Sequence, residues 1–292
     1  MSNYKVAIDI GGTNINSAVI NADDLSFVES NSVPTPNNET DLIIDEVYRI
    51  AKSYKDKYAI NNLDLGISSA GVIDDEAGTV VYSGPTIPNY KGTNFKDYLA
   101  PLYSNIAVLN DVNAALLGEL TYHNYRQDNI FCLTIGTGIG GAFYNRTLGI
   151  HTGARHRANQ IGYLLYDSHS ETTFETRAST SGLKQLMKTK NYRYESNVKQ
   201  LFKDAKKGDA LANDILNEWS TYLAEGIAQI QIIYDPDVIL IGGAISAQGE
   251  NLLNYIVPKL EFFLPHHYGH AQIQTTLSLN NAALIGAIAK LL

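Results

Sequence analysis

The chain has 292 residues, enough for two lobes with separate cores, and its 45% hydrophobic and 18% charged content is that of an ordinary folded protein. A formal net charge of -8 argues against general nucleic-acid binding, which needs a basic stripe, yet leaves room for an anionic nucleotide held by backbone amides and magnesium. The single cysteine, Cys132, excludes an intrachain disulfide and reads as a small buried hydrophobe; no apolar run approaches the ~20 residues of a membrane span and no signal-like segment precedes the first strand, so the expected setting is the cytoplasm, away from membranes.

Residues 4–10 are β-branched and apolar, break at Gly11-Gly12-Thr13, and resume as an extended run over 15–20, which predicts strand, tight turn, strand. Leu42, Ile43, Val47, Ile50 and Ala51 at helical spacing predict a helix over about 39–59, with Thr40 or Asp41 as its cap. Strands are expected at 63–68, ending in Ser69-Ala70-Gly71, and at 106–109, ending in Asn110-Asp111, where a helix begins at once. A second strand–glycine–strand run follows at 130–135, Gly136 to Gly141, and 142–144. Two similar α/β lobes would produce this recurrence. Helical spacing then covers 178–189, 195–206, 209–232 and 249–263, with one buried strand at 238–241 closed by Gly242-Gly243 and an apolar helix over 282–292. The N-terminal lobe is placed at 1–113, with the helix from about 281 to 292 packed back on it, and the larger C-terminal lobe at 114–280.

Three glycine turns therefore follow strands. Glycine lets backbone amides approach an anion closely, although each turn alone reads as readily as a plain chain reversal. Asp9, just ahead of the first, is placed to hold the magnesium of a nucleotide directly or through water. Asp111 reads either as a helix cap or as a base, since a carboxyl with an ordinary pKa near 4 is ionised and able to accept a proton at neutral pH. The run His266-His267-Tyr268-Gly269-His270 reads as an exposed loop rather than a metal site.

The segments Asp9-Ile10-Gly11-Gly12-Thr13, Asn110-Asp111-Val112-Asn113-Ala114-Ala115-Leu116-Leu117-Gly118-Glu119, Leu133 to Gly141, Ile241-Gly242-Gly243-Ala244-Ile245-Ser246 and Asn281 to Ala287 share one further property. In order, and over nearly the whole chain, they resemble the first phosphate loop, catalytic segment, second phosphate loop, adenosine loop and closing helix of the ROK sugar kinases. The resemblance implies an α/β fold of the two-lobed actin- and hexokinase-like kind, with a nucleotide and sugar cleft between the lobes. ATP and Mg2+ are the implied cofactors, served by Asp9, Gly11, Gly12, Thr13, Gly136, Thr137, Gly138, Gly242 and Gly243. Asp111 becomes the general base on the sugar hydroxyl, with Asn110, Gly71, Asn89 and Glu175 around the sugar. His156, between Arg155 and Arg157, reads either as a group approaching sugar or phosphate or as part of a solvated basic loop.

Three departures from the family pattern stand out. Where the family commonly has Ala-Gly-Glu-Ile-Gly-His, the chain has Ala158-Asn159-Gln160-Ile161-Gly162-Tyr163, so Gln160 and Tyr163 occupy sugar-contact positions as an amide and a phenol. Residues 164–174 carry no cysteine, so the three-cysteine zinc loop is missing and no structural zinc is expected. Order in that loop is assigned to packing of Leu164, Leu165, Tyr166 and Phe174. Residues 84–95, 162–166 and 229–231 resemble the zinc-free bacterial N-acetylmannosamine kinases, which implies phosphorylation of that sugar's 6-hydroxyl. Glucokinase, fructokinase and β-glucoside kinase activities are the alternatives, as is a non-catalytic sugar-binding relative. A sugar-sensing repressor is not expected, because the first phosphate loop begins at Asp9 and the charge is wrong for DNA. The family likeness also implies a homodimer.

Overall fold

The computed structural model describes residues 3–58, 64–84, 87–278 and 281–292; Met1, Ser2, residues 59–63, Pro85, Thr86, Leu279 and Asn280, which the expectations above touch, lie outside them. Two compact units result. The first comprises Met1–Tyr125, Thr152–Ala158 and Asn280–Leu292, the second Arg126–His151 and Asn159–Leu279.

In the first unit β1 (Tyr4–Ile10) and β2 (Asn14–Asn21) form an antiparallel hairpin, and β3 (Phe27–Pro34) adds to β2. After helix α1 (Ile43–Tyr58), strand β4 (Asp64–Ser69) pairs parallel to β1. A small hairpin of β5 (Val72–Asp74) and β6 (Thr79–Tyr82), then helix α2 (Phe95–Leu99), lead to β7 (Asn105–Asn110), parallel to β4, and to α3 (Asp111–Tyr122). The period-2 alternation of β1 sends Val6, Ile8 and Ile10 into a core with Ile43, Val47, Ile50 and Phe95. Ala7, and by the same alternation Asp9, take the opposite face. α1 starts at Ile43 rather than near 39 because side-chain amides capture the preceding backbone: Asn37 Oδ1 accepts from the amides of Glu39 and Thr40 at 3.0 and 3.2 Å, and Asn38 Oδ1 accepts from Ile43 at 2.9 Å. β3 escaped the sequence pattern because it is an edge strand whose Ser30, Asn31 and Ser32 are exposed and give no apolar period.

The second unit opens with the hairpin β8 (Asn129–Ile135) and β9 (Ile139–Asn145), to which β10 (Gly149–Ile150) adds. Helices α4 (Phe174–Ala178), α5 (Thr180–Thr189), α6 (Val198–Lys206) and α7 (Ala210–Tyr234) follow, then β11 (Val238–Gly242), α8 (Glu250–Ile256) and β12 (Gln272–Thr275). The sheet order β10-β9-β8-β11-β12 repeats β3-β2-β1-β4-β7 strand for strand, with the last two strands parallel to the first of the hairpin in both units. The recurrent strand–glycine–strand run is thus the start of two like sheets. Its core gathers Phe131, Phe174, Trp219 and Ile227, and Trp219 Nε1 donates to the Ala178 carbonyl at 3.0 Å. The helix expected over 249–263 changes character after Ile256: Pro258 has no N–H to give, and Val257–Phe262 winds as a tighter 3-10 turn.

The C-terminal α9 (Ala282–Ile288) returns to the first unit, burying Leu284, Ile285 and Ile288 against Ala7, Ala18 and Ile20. Each such side chain is worth roughly 1.5–3 kcal/mol when fully buried. α9 meets α3 backbone to backbone, which only glycine permits: a Cβ on Gly286 would lie 1.6 Å from the Ala114 carbonyl oxygen, and one on Gly118 1.9 Å from that of Ala282. α3 is thereby an unbroken part of the first unit. The boundary expected after residue 113 would cut α3 in its first turn, and the division falls instead after Tyr125. Among the described residues no helix is long and apolar enough to cross a membrane.

Candidate active site

The first unit carries two carboxylates at strand ends. Asp9, near the end of β1, faces Ser68 across the parallel β1–β4 register, and Ser68 Oγ donates to Asp9 Oδ1 at 2.7 Å. Burial raises the Asp9 carboxyl above its ordinary value, against the lowering pull of the Ser68 and Asn16 side chains. Asp111 begins α3, but Asn110 is the residue that caps it: Asn110 Oδ1 accepts from the amides of Val112 and Asn113 at 3.0 and 3.2 Å. Asn110 Nδ2 donates both to Asp111 Oδ1 and to the Gly71 carbonyl, each at 2.8 Å. Asp111 Oδ1 also accepts from Val112 N at 3.0 Å, and among the described residues its Oδ2 has no hydrogen-bond partner. Burial first, and the Asp9 carboxylate second, push Asp111 up to about 6.

Around these lie the other expected groups of the first unit. Gly71 has φ 97°, and a Cβ there would meet the Tyr82 carbonyl oxygen at 2.7 Å, so glycine is required at the site of the Asn110 contact. Asn89 is exposed with φ 54°, on a turn tied down by Asn38 Nδ2 donating to the Pro88 carbonyl at 2.7 Å. The Gly11-Gly12-Thr13 turn is closed by Gly11 N donating to the Asn14 carbonyl at 3.0 Å, and it is held from β3's exit by Thr35, whose Oγ1 donates to the Gly11 carbonyl at 2.7 Å. Gly12 and Thr13 are exposed. Sequence reasoning passed over Ser68 and the buried pair Ser69–Tyr90, whose hydroxyls lie 2.7 Å apart. Burial raises the Tyr90 phenol, with the Asp111 charge adding to it. The available signal was register: Ser68 sits opposite Asp9 once β1 and β4 are paired.

In the second unit the β8–β9 turn is a folded loop, with Gly136 N donating to the Gly138 carbonyl at 2.9 Å and Thr180 N and Oγ1 donating to the Gly136 carbonyl at 2.9 and 2.6 Å. Thr137 stands exposed at its tip. Glu175 supports this loop from below. Its Oε2 accepts from Ile139 N at 2.8 Å, and a Cβ on Gly138 would lie 2.5 Å from that oxygen. A Cβ on Gly162 would also crowd Glu175, at 3.2 Å from its Oε2. Gly243, at the end of β11 with φ 84°, would place a Cβ 2.5 Å from the Ile135 carbonyl oxygen, and Ser246 Oγ donates to the Gly243 carbonyl at 2.8 Å. Gly242 is tolerant by comparison, its nearest neighbours being methyl groups at 3.4 Å. Gln160 is exposed and precedes the 3-10 turn Ile161–Tyr163, where Tyr163 is 57% exposed.

Residues 164–174 are ordered chiefly by polar contacts. Asp167 and Thr172 pair as an isolated bridge, Asp167 carboxylate oxygens accept from His169 N at 2.9 Å and Ser170 Oγ at 2.8 Å, and Arg177 Nη2 donates to the Leu165 carbonyl at 2.7 Å. Phe174 is buried, with Leu164 and Leu165 packed on the core, but Tyr166 is 63% exposed and contributes no packing of the kind expected. The His266–His270 loop is exposed.

The sequence pattern of the ROK family matches residues 5–291. The chain belongs to the ROK family. A relative from Clostridium perfringens, itself uncharacterized, is 33% identical over 96% of this chain and 95% of its own length. A glucokinase from Thermotoga maritima is 26% identical over 97% of this chain and 95% of its own. Among solved structures, a ROK family glucokinase from Streptomyces griseus in complex with glucose and AMPPNP superposes with a TM-score of 0.81 at 25% identity, covering 99% of this chain and 98% of that one. This ROK sugar kinase therefore has the actin- and hexokinase-like fold, and ROK sugar kinases use ATP with a divalent metal.

Proposed function

We propose that this ROK sugar kinase transfers the γ-phosphoryl group of ATP to the 6-hydroxyl of an N-acylhexosamine or hexose, with N-acetylmannosamine as the first candidate and Asp111 as the base. The observation that carries the base assignment is the division of labour at the start of α3. Asn110 caps the helix, so the Asp111 carboxylate is not consumed by capping, and its Oδ2 remains to accept a proton. A carboxyl raised to about 6 is still largely ionised at neutral pH and is a stronger base than an ordinary aspartate. Asn110, fixed by the Gly71 carbonyl, is the polar group beside it for sugar hydroxyls, and Asn89 is proposed as a further contact.

Asp9 fits the magnesium of the nucleotide: it is a hard oxygen donor, half-buried with its pKa raised, and oriented through Ser68. Held there with ATP, the ion would supply positive charge to offset that of the phosphates. The amides of the Gly11–Thr13 and Gly136–Gly138 turns and the Gly242-Gly243 bend are the proposed nucleotide contacts. Glu175 is proposed to hold the sugar through Oε1, its other oxygen being engaged by Ile139 N. No structural zinc is proposed, the polar belt of Asp167, Ser170 and Arg177 taking over the ordering of 164–174. The protein is proposed to act in the cytoplasm as a homodimer.

Glucose is the second reading, favoured by the glucokinases from Thermotoga maritima and Streptomyces griseus that the chain resembles. A coupled assay with ATP, Mg2+ and a panel of N-acetylmannosamine, glucose, fructose and β-glucosides tests both. Turnover highest on N-acetylmannosamine supports the first reading, turnover highest on glucose replaces it, and no turnover on any sugar leaves a binding protein.

A further inference from the structure

Thr152–Ala158 belongs to the first unit although the chain on both sides of it belongs to the second. His156 fastens it. Its Nδ1 lies 3.3 Å from Asp75 Oδ1 and its Nε2 3.5 Å from Asp74 Oδ1, both at ion-pair distance. The residue adopts φ 57°, a left-handed backbone uncommon for a residue other than glycine. Nδ1 is buried and has no hydrogen-bond partner that meets ordinary geometry. A neutral imidazole has one N–H and the imidazolium two, so only the charged ring serves both carboxylates.

The surroundings keep those carboxylates ionised. Burial would raise Asp75, but Lys290, whose Nζ lies 2.5 Å from Asp75 Oδ2, and then His156 outweigh it and hold the carboxyl below its ordinary range. Lys96 Nζ donates to the backbone carbonyls of Asp75 and Glu76 at 3.0 and 2.7 Å, Glu76 itself points to solvent, and Arg155 and Arg157 flank His156 as exposed cations. A second left-handed residue follows. Asn159, φ 62° and 6% exposed, donates from Nδ2 to the His151 carbonyl at 2.7 Å. The chain is therefore pinned at His156 and again at Asn159, immediately before Gln160.

We infer that His156 is a pH-dependent positioning residue for sugar binding: its charged ring, clamped between Asp74 and Asp75, fixes residues 152–158 and, through the chain, the backbone that presents Gln160. The inference rests on the kinase reading with Gln160 at the sugar. The clamp needs both ring N–H groups, so it is complete only with the charged imidazolium and is lost when the ring is neutral.

The test compares wild type with His156→Asn, which keeps the left-handed tendency, and with Asp74→Asn. KM for N-acetylmannosamine and for glucose is measured with saturating ATP and Mg2+ from pH 6 to 8, alongside hydrogen exchange of amides 152–158. In wild type, sugar KM is expected to rise by about fivefold over this range, the effect of one partly exposed ion-pair cluster. In both variants KM is already high at pH 6 and flat, kcat follows the wild-type pH profile, and amides 152–158 lose the protection they show at low pH. A variant KM that tracks the wild-type pH profile overturns the inference, as does equal protection in all three proteins. If wild type turns over neither sugar, the kinase reading fails by itself, and the exchange comparison still decides whether the clamp exists.

Discussion

Asp111 in the first unit and Glu175 in the second are both partly buried carboxylates, yet they are treated in opposite ways. Glu175 is accommodated: Oε2 accepts from Ile139 N at 2.8 Å, and Gly138 and Gly162 leave it room. Asp111 is kept uncomfortable, raised to about 6 by burial and by the neighbouring Asp9 carboxylate, with only local donors to offset them. Glu175 gives one of its two oxygens to the loop it builds. A carboxylate that reacts is left with unspent affinity for a proton.

The sharpest way to break this contrast is Asp111→Asn. If Asp111 is the base, kcat falls by roughly 10²–10⁴-fold, while sugar KM moves little. The same substitution removes a charge that costs stability in the folded state. Because the folded carboxyl binds its proton near pH 6 and an unfolded one near 3.9, its contribution to stability falls as pH rises from 4 to 6 and stays lost above. At pH 7 the variant is therefore expected to melt higher, by about 2–4 °C in calorimetry. Lower activity with a lower melting temperature would reduce Asp111 to a structural role.

A pH profile probes the same group without mutation. The base works ionised, so kcat is expected to fall on the acid side, with a midpoint at or below about 6. A cation held by Asp9 would cancel the repulsion that helps to raise Asp111, which is why the midpoint of kcat is expected at or below the value of the unliganded protein. A rate that does not fall on the acid side at any pH at which the protein stays folded would contradict the base.

Glu175→Gln tests the other side. The amide oxygen can still accept from Ile139 N, so the fold and kcat are expected to survive, and sugar KM rises by about tenfold for a lost charge-assisted hydrogen bond. A collapse of kcat instead would place Glu175 in the chemistry and erase the contrast. Gly138→Ala approaches it sterically. Its Cβ, 2.5 Å from Oε2, must displace the carboxylate, and kcat/KM is expected to drop by up to about a hundredfold with no change in pH profile.

The positions of Asp9 and Asp111 were legible because a strand's end followed by glycine or by a helix start is written in local order. So were the two like sheets, through the glycine turns of β1–β2 and β8–β9. What stayed hidden depended on pairing at long range or on competition between local hydrogen bonds. Ser68 becomes a partner of Asp9 only in the β1–β4 register, and β3 is visible only against β2. The start of α1 went wrong because Asn37 and Asn38 outbid the helix for its first amides. The loop 164–174 was expected to rely on packing because its polar residues, Asp167, Ser170 and Thr172, close on one another only once the bridge forms.

The smallest expected effect falls where the chain departs most from its family. Gln160 is exposed, so Gln160→Glu should cost the fold nothing measurable. What changes is the hydrogen-bond menu, from one acceptor oxygen and an NH₂ donor to two acceptor oxygens carrying charge. A site that accepts from hydroxyls and no longer donates discriminates among sugars by which of them present a donor in reach, typically through one or two hydrogen bonds. The ratio of kcat/KM for N-acetylmannosamine over glucose is therefore expected to shift by about threefold to tenfold, with kcat on the better sugar nearly unchanged. An unchanged ratio would take Gln160 out of the pocket. A change in kcat alone would instead tie it to Asp111.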